Sequence, residues 1–170
     1  MFSHNTNPLT KSLTSTIDLT VSRLPTFNGT SSFTTLLQIS DTTLNPGGVR
    51  LGTAEIYSVV EKFKEIKESI VIGQSWKNDI RIILFIVLNN GYELNDEIRN
   101  KIKKALKSDA SPRHVPSKII PILEIPKTKN GKLVELAVKQ TIEGEIIKNL
   151  EALANPDSLK QFKNIKELNE

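Results

Sequence analysis

The sequence predicts an α+β domain, a small three-stranded sheet packed with helices, preceded by a disordered N-terminal extension. Three observations point there. Apolar residues recur at helical spacing in Ile56, Val59, Val60 and Phe63, and again in Ile98, Ile102, Ala105 and Leu106. Two runs rich in β-branched residues, 69–75 and 80–88, follow one another with strand length. Composition breaks at residue 40: residues 1–39 are rich in Ser, Thr and Asn, carry three charges and show no sustained period. We therefore expect an extension over 1–39 and a folded domain over 40–170.

Taken in order, Thr53 is the expected cap of a first helix that buries Ile56, Val59, Val60 and Phe63 and turns Glu61, Lys62, Lys64 and Glu65 outward. The two strands follow. Asn89-Asn90-Gly91 reads as a turn, and Asn95 as the N-cap of a second helix with Asp96 and Glu97 in its first turn. Ser111-Pro112 stops that helix, and 118–123 reads as a third strand. After Lys132, the residues Leu133, Leu136, Ala137, Gln140, Val134, Val138 and Thr141 are expected to wind around a third helix whose apolar arc packs on the sheet. Asn155-Pro156 is expected to cap a last short helix. Helix, strand, strand, helix, strand, helix is most economically folded as one sheet covered by helices.

Composition removes several functions. The chain has no cysteine, so disulfides, thiolate metal sites and thiol catalysis are out. The two histidines, His4 and His114, lie far apart, and no metal site is expected. No apolar run reaches the roughly 18–20 residues of a membrane span, and the start lacks the order of a secretory signal, so a cytoplasmic location is expected. A net charge of +4 and a pI near 9.2 favour anionic small ligands such as nucleotides and CoA. Nucleic acid is not expected as a partner, because aromatics are sparse and not interleaved with the basic residues. The Ser/Thr-rich stretch Asn28-Gly29-Thr30-Ser31-Ser32 lacks the glycine pair and lysine that cradle phosphates.

The chemically richest segment is Ile125-Pro126-Lys127-Thr128-Lys129-Asn130-Gly131-Lys132. Pro126 presets its φ, the Thr128 hydroxyl can bond nearby backbone, and Gly131 permits a left-handed residue beside Lys132. Such a turn pushes one long-stemmed, compact cation toward an anionic site. By itself the same stretch also fits a solvated, lysine-rich turn.

That segment resembles the C-terminal lysine motif of the adenylate-forming enzymes, the acyl-CoA synthetase and luciferase superfamily. A second block, Asp41-Thr42-Thr43-Leu44-Asn45-Pro46-Gly47-Gly48-Val49-Arg50-Leu51-Gly52-Thr53-Ala54-Glu55-Ile56-Tyr57, is similar to the hinge and first turn of that family's C-terminal domain. Arg113-His114-Val115-Pro116-Ser117, the stretch from Gly131 to Gln140 and the tail from Asn155 to Leu168 narrow the resemblance to the acetoacetate–CoA ligase branch. The resemblance implies an acid–thiol ligase chemistry: acetoacetate, ATP and CoA give acetoacetyl-CoA, AMP and pyrophosphate through an acyl-adenylate, with Mg²⁺ as phosphate partner and nothing bound tightly. It implies that Lys132 is the catalytic lysine, which meets the substrate carboxylate and the α-phosphate. It makes Asp41 the hinge residue, and Gly48, Arg50 and Lys107 the CoA-binding residues. The bland alternatives are an Asx turn at Asp41, a hairpin turn at Gly47-Gly48 and a solvated helix face at Lys107.

The family's Gly-Arg ahead of the hinge is replaced by Gln38-Ile39, so the likeness stops at Ser40, and the large adenylation domain has no counterpart here. The expectation is therefore a truncated paralogue, inactive alone, whose partner is a separate adenylation domain or a full-length ligase. The alternative is a non-catalytic module that binds CoA or nucleotide, or docks on a ligase.

Overall fold

A run of six apolar residues, Ile82 to Val87, is buried along its whole length, so the strand that carries it has no polar face. Such a strand is stable only with cover on both sides of its sheet. In the computed structural model, which describes residues 43–147 and 150–169, the fold supplies that cover. The extension over 1–39 and the boundary at 40 lie outside the described residues.

The elements run in the expected order. A two-residue ribbon, β1 (Thr43–Leu44) and β2 (Leu51–Gly52), pairs antiparallel around the turn Pro46–Gly48. Then come α1 (Ala54–Val60), β3 (Ile66–Trp76), β4 (Asp79–Leu88), α2 (Asp96–Asp109), β5 (Lys118–Pro121) and α3 (Glu135–Glu143). Short 3-10 turns fill the tail, the longest being Pro156–Phe162. The main sheet has three strands in the order β3-β4-β5. β3 and β4 are antiparallel, joined at Lys77-Asn78, where both residues take positive φ (48° and 65°), the twist a two-residue hairpin requires. β4 and β5 are parallel, so the chain must cross over between them, and α2 makes that crossover.

Side-chain alternation sorts β4 into two cores. On one face Val71, Ile82, Leu84, Ile86 and Ile119 meet Ile56, Val59 and Val60 of α1 and Ile98, Ile102 and Leu106 of α2. On the other Ile70, Ile72, Ile83, Phe85, Val87 and Ile120 meet Ala137 and Val138 of α3 and, from the tail, Leu153, Leu159, Phe162 and Leu168. Phe162 stands edge-on to Phe85, ring centroids 5.0 Å apart at 78°. The Arg81 guanidinium lies 3.8 Å over the Trp76 ring and donates to the Leu168 carbonyl, which latches the end of the tail.

Several expectations are corrected in detail. Both central strands are longer than read, and the third ends at Pro121 rather than 123. Thr53 does not cap α1: it is itself helical (φ −79°), and its buried Oγ1 has no partner. α1 stops at Val60, so Phe63 packs on the core from the following turn. α3 begins at Glu135, with Glu135, Ala137, Val138 and Thr141 buried and Leu136 68% exposed, so the inward face includes a carboxylate and omits a leucine. Asn155 does not cap the turn after it, since its side chain is engaged elsewhere. Asn95, by contrast, accepts from the Ile98 N–H at 2.9 Å as a cap should.

Because the tail forms part of a core rather than a surface, Phe162→Ala should lower stability by about 3–5 kcal/mol, the usual cost of truncating a buried aromatic. A urea titration at unchanged slope measures this. A loss below about 1 kcal/mol would mean that the tail is peripheral.

Candidate functional site

The lysine turn is a closed structure. Thr128 N–H donates to the Lys132 carbonyl at 2.9 Å, Gly131 N–H to the Thr128 carbonyl at 2.8 Å, and Lys132 N–H to Thr128 Oγ1 at 3.0 Å. Gly131 sits at φ 75°, where a side chain would be strained. The roles expected of Thr128 and Gly131 are therefore met. Lys127 and Leu133 bridge across the base of the turn, and Lys132 stands exposed just past its tip, three residues before the start of α3. Among the described residues no ion pair engages the Lys132 ammonium, so it is available to an incoming anion.

Two elements hold this turn to the body. On one side, the backbone of residues 152–154 runs antiparallel to 127–129: Lys129 N–H donates to the Ala152 carbonyl (3.1 Å) and Ala154 N–H to the Lys127 carbonyl (2.8 Å). Asn155 adds two side-chain bonds to the same limb, accepting from Lys127 N–H (2.8 Å) and donating to the Ile125 carbonyl (3.0 Å). Lys127 Nζ, half-buried, reaches Glu68 of β3 at 2.7 Å. On the other side, Glu135 in the first turn of α3 is 4% exposed and accepts from the Tyr57 hydroxyl at 2.5 Å. That hydroxyl in turn accepts from Val71 N–H at 3.0 Å. Val71 lies on β3, the open edge of the sheet, so the Tyr57 hydroxyl satisfies an edge donor that β4 cannot reach. Ser75, further along the same edge, is met through both N–H and hydroxyl by Glu143 of α3.

The Gly47-Gly48 turn is held in a similar way. Gly47 and Gly48 take φ 58° and 74°, the left-handed region that glycine enters at least cost. Gly47 N–H donates to Asp79 Oδ1 at 2.7 Å, and the same oxygen accepts from Ile80 N–H, also at 2.7 Å. These two backbone donors hold the Asp79 carboxyl below its ordinary range. Gly73 leaves the space in which Leu44 packs: a Cβ there would stand 2.8 Å from Leu44 Cδ2. The β1–β2 ribbon is thus seated on the sheet by Leu44 and tied to the β3–β4 hairpin by Asp79.

The predicted site residues therefore divide. Gly48 and Arg50 share the ribbon and both are exposed. Lys107 is exposed in the last turn of α2, where a cation also suits the helix dipole, and Lys132 belongs to a separate turn. Asp41 lies outside the described residues. His114 is buried with Nδ1 2.8 Å from Ser111 Oγ. The sequence reading gave no role to the side chains of Tyr57, Glu135 and Asp79, and gave Asn155 only that of a helix cap. The signal for Glu135 was a carboxylate in a first helical turn, which ordinarily marks a solvated dipole contact.

Residues 55–132 match the family model AMP-binding enzyme C-terminal domain, and this part of the chain belongs to that family. Its relatives narrow the match further. Acetoacetyl-coenzyme A synthetase of Rhizobium meliloti (strain 1021) is 54% identical over 129 residues, which is 76% of this chain and 20% of that protein. Acetoacetyl-CoA synthetase of Caenorhabditis elegans is 46% identical over 129 residues, 75% of this chain and 18% of that protein. The solved structure of acetoacetyl-CoA synthetase from Streptomyces lividans superposes with a TM-score of 0.67 at 35% identity, covering 76% of this chain and 20% of that one. The chain thus spans about one-fifth of the length of the curated relatives it matches. No helix among the described residues is long and apolar enough to cross a membrane.

The Tyr57–Glu135 contact has a pH signature. Burial, then the adjacent Glu135 charge and hydrogen bond, push the Tyr57 phenol above its ordinary value of 10.0. A group whose folded pKa is raised stabilises the fold below its unfolded pKa and loses that contribution as pH rises beyond it. Stability should therefore fall above pH ~10 by up to about 1.4 kcal/mol per pH unit from this group. Tyr57→Phe should remove that part of the slope while lowering stability at pH 7 by about 1–3 kcal/mol, through the buried Val71 N–H left without its acceptor and the hydrogen bond lost to Glu135. Urea midpoints of both proteins from pH 7 to 11 measure it, and parallel curves would refute it.

Proposed function

We propose that residues 40–170 form the C-terminal lid of an acetoacetate–CoA ligase that works through an acyl-adenylate. The observation that carries this reading is the lysine turn: a strapped hairpin with Gly131 in the left-handed region and the exposed Lys132 just past it, inside a domain of the AMP-binding C-terminal family. Joining a carboxylate to a phosphoryl group brings two anions together. The Lys132 ammonium would neutralise charge on the phosphoryl oxygens as it builds, while the turn holds the side chain's origin still. On the ribbon, Gly48 offers bare backbone against which a slender pantetheine chain can lie. Arg50 and Lys107 offer cations suited to phosphate. Asp41 would be the point about which the domain turns between the two half-reactions.

ATP and CoA are the cosubstrates this reading implies. Mg²⁺ would travel with the nucleotide phosphates, since among the described residues no three His, Asp or Glu side chains converge on a metal position. The acyl pocket and phosphate loop belong to the larger adenylation domain of such ligases, so that domain is the partner implied. Residues 40–170 alone should form neither AMP nor acetoacetyl-CoA. Turnover by a homogeneous preparation of them would overturn this reading.

The direct test joins residues 41–170 to the adenylation domain of an active acetoacetyl-CoA synthetase and times each half-reaction separately. Lys132→Ala should slow adenylation by about 10²–10³, the typical cost of losing a positioned charge-stabilising group, and spare thioester formation. Arg50→Ala should do the reverse. If both substitutions slow both steps equally, the two-faced lid is wrong.

A further inference from the structure

We propose that Asn155 is a positioning residue for Lys132, holding the lysine turn in place from the tail of the chain. This rests on the role proposed above for Lys132. Every bond that fixes the Lys132 backbone within the turn runs to Thr128, through its N–H and its hydroxyl. The placement of Thr128 therefore decides where the Lys132 side chain starts. Thr128 is flanked by Lys127, whose N–H and carbonyl are held by Asn155 Oδ1 and Ala154 N–H, and by Lys129, held by the Ala152 carbonyl.

The Asn155 amide spans the limb as a peptide group of a neighbouring strand would. It accepts from Lys127 and donates to Ile125, on either side of Pro126. Pro126 has no N–H and contributes nothing to a ladder, so at this step a side chain supplies the pairing that backbone cannot. Asparagine suits the task because it carries one acceptor and two donors on a short stem. The Asn155 position is fixed in turn: its carbonyl accepts from Ser158 Oγ at 2.6 Å and Ser158 N–H at 3.1 Å, and buried Leu153 and Leu159 anchor the chain on either side of it. Leu153 also bridges Thr128 directly. The tail thus forms an outer strand beside the two limbs of the lysine turn.

Such a device matters because a catalytic charge must be held within about half an ångström of its working position. Asn155→Ala removes both side-chain bonds yet leaves Leu153, Leu159 and Phe162 in their core, so the domain should remain folded.

Amide hydrogen exchange on the full chain is the first measurement. In Asn155→Ala, exchange at Lys127, Thr128, Gly131 and Lys132 should speed up by about tenfold, in line with the loss of two net hydrogen bonds, while Val71 and Leu84 in the sheet stay within twofold. Asn155→Asp keeps the acceptor for Lys127 but loses the donor to Ile125, so it should fall between the two. The second measurement uses the joined ligase described above: Asn155→Ala should slow adenylation at least fivefold and leave thioester formation within twofold.

Exchange that rises throughout the sheet, or not at all in the turn, overturns the proposal. So does an equal slowing of both half-reactions, which a merely structural residue would give. If Lys132→Ala leaves adenylation intact, the proposed role of Lys132 fails, and the exchange pattern alone then decides whether Asn155 holds the turn.

Discussion

The structure depends on β4 having no polar face. A strand buried on both sides demands two layers of cover, and among the described residues the helices are too few and too short to provide them. α1 and α2 close one face. α3 closes only part of the other, and the remainder falls to the irregular tail, whose Leu153, Leu159, Phe162 and Leu168 lie against Ile83, Phe85 and Val87. The tail therefore cannot be a loose appendage. At about 25 cal/mol per Å² of apolar surface, each of these side chains contributes about 1.5–3 kcal/mol toward keeping it down. Once seated, its backbone is available as a rigid partner for whatever lies alongside, and the lysine turn lies alongside.

The same economy governs the open edge of β3. Its unpaired N–H groups would invite another strand, and the chain answers with side chains from the helices that already cover the face. The Tyr57 hydroxyl takes Val71, and Glu143 takes Ser75. Tyr57 performs a second task, because the hydroxyl that accepts from Val71 also donates to Glu135. Burying a carboxylate is costly unless donors meet it, and Glu135 stands in the first turn of its helix, where the dipole favours a negative charge. A protected sheet edge and a fixed start for α3 are thus one arrangement.

What the sequence revealed and what it hid follow from the range of the interactions. The two central strands, α2 with its Asn95 cap, the glycine turn and the lysine turn were legible because propensity, capping and turn chemistry act within a few residues. The left-handed Gly131 and the Thr128 hydroxyl bond to Lys132 are local in this sense. Thr53 and Asn155 were misread by the same local rules. Both occupy cap positions by pattern, yet Thr53 is already helical and the Asn155 amide is drawn to residues 28 and 30 positions earlier. The inward Glu135 and outward Leu136 were hidden for a related reason. Which face of a short helix turns inward depends on Tyr57, 78 residues away, and no window along the chain contains both.

The two turns proposed to meet ligand share a mode of attachment that bears on how a domain with the proposed lid role can be accurate. The glycine turn is tied by Asp79 to the backbone N–H of Gly47, and the lysine turn by Asn155 to the backbone of Ile125 and Lys127. In both, a polar side chain distant in sequence grips main chain and leaves the residues proposed to meet ligand, Gly48 and Lys132, exposed to solvent. Holding Lys132 by its own ammonium would fix it more firmly but would spend the charge on an internal partner. That partner would have to be displaced each time an anion arrived. Anchoring through backbone separates the two requirements: the origin of the side chain is fixed, and its long stem remains free to sample rotamers. A lid that must leave one active arrangement and enter another gains from this separation. Its turns can travel as rigid parts of the domain, and only the final few bonds of each side chain need to settle on arrival. In the proposed role the cost falls on the tail and on the β3–β4 hairpin, which would have to hold their shape through any such movement, and these are the segments tied to the double-sided core around β4.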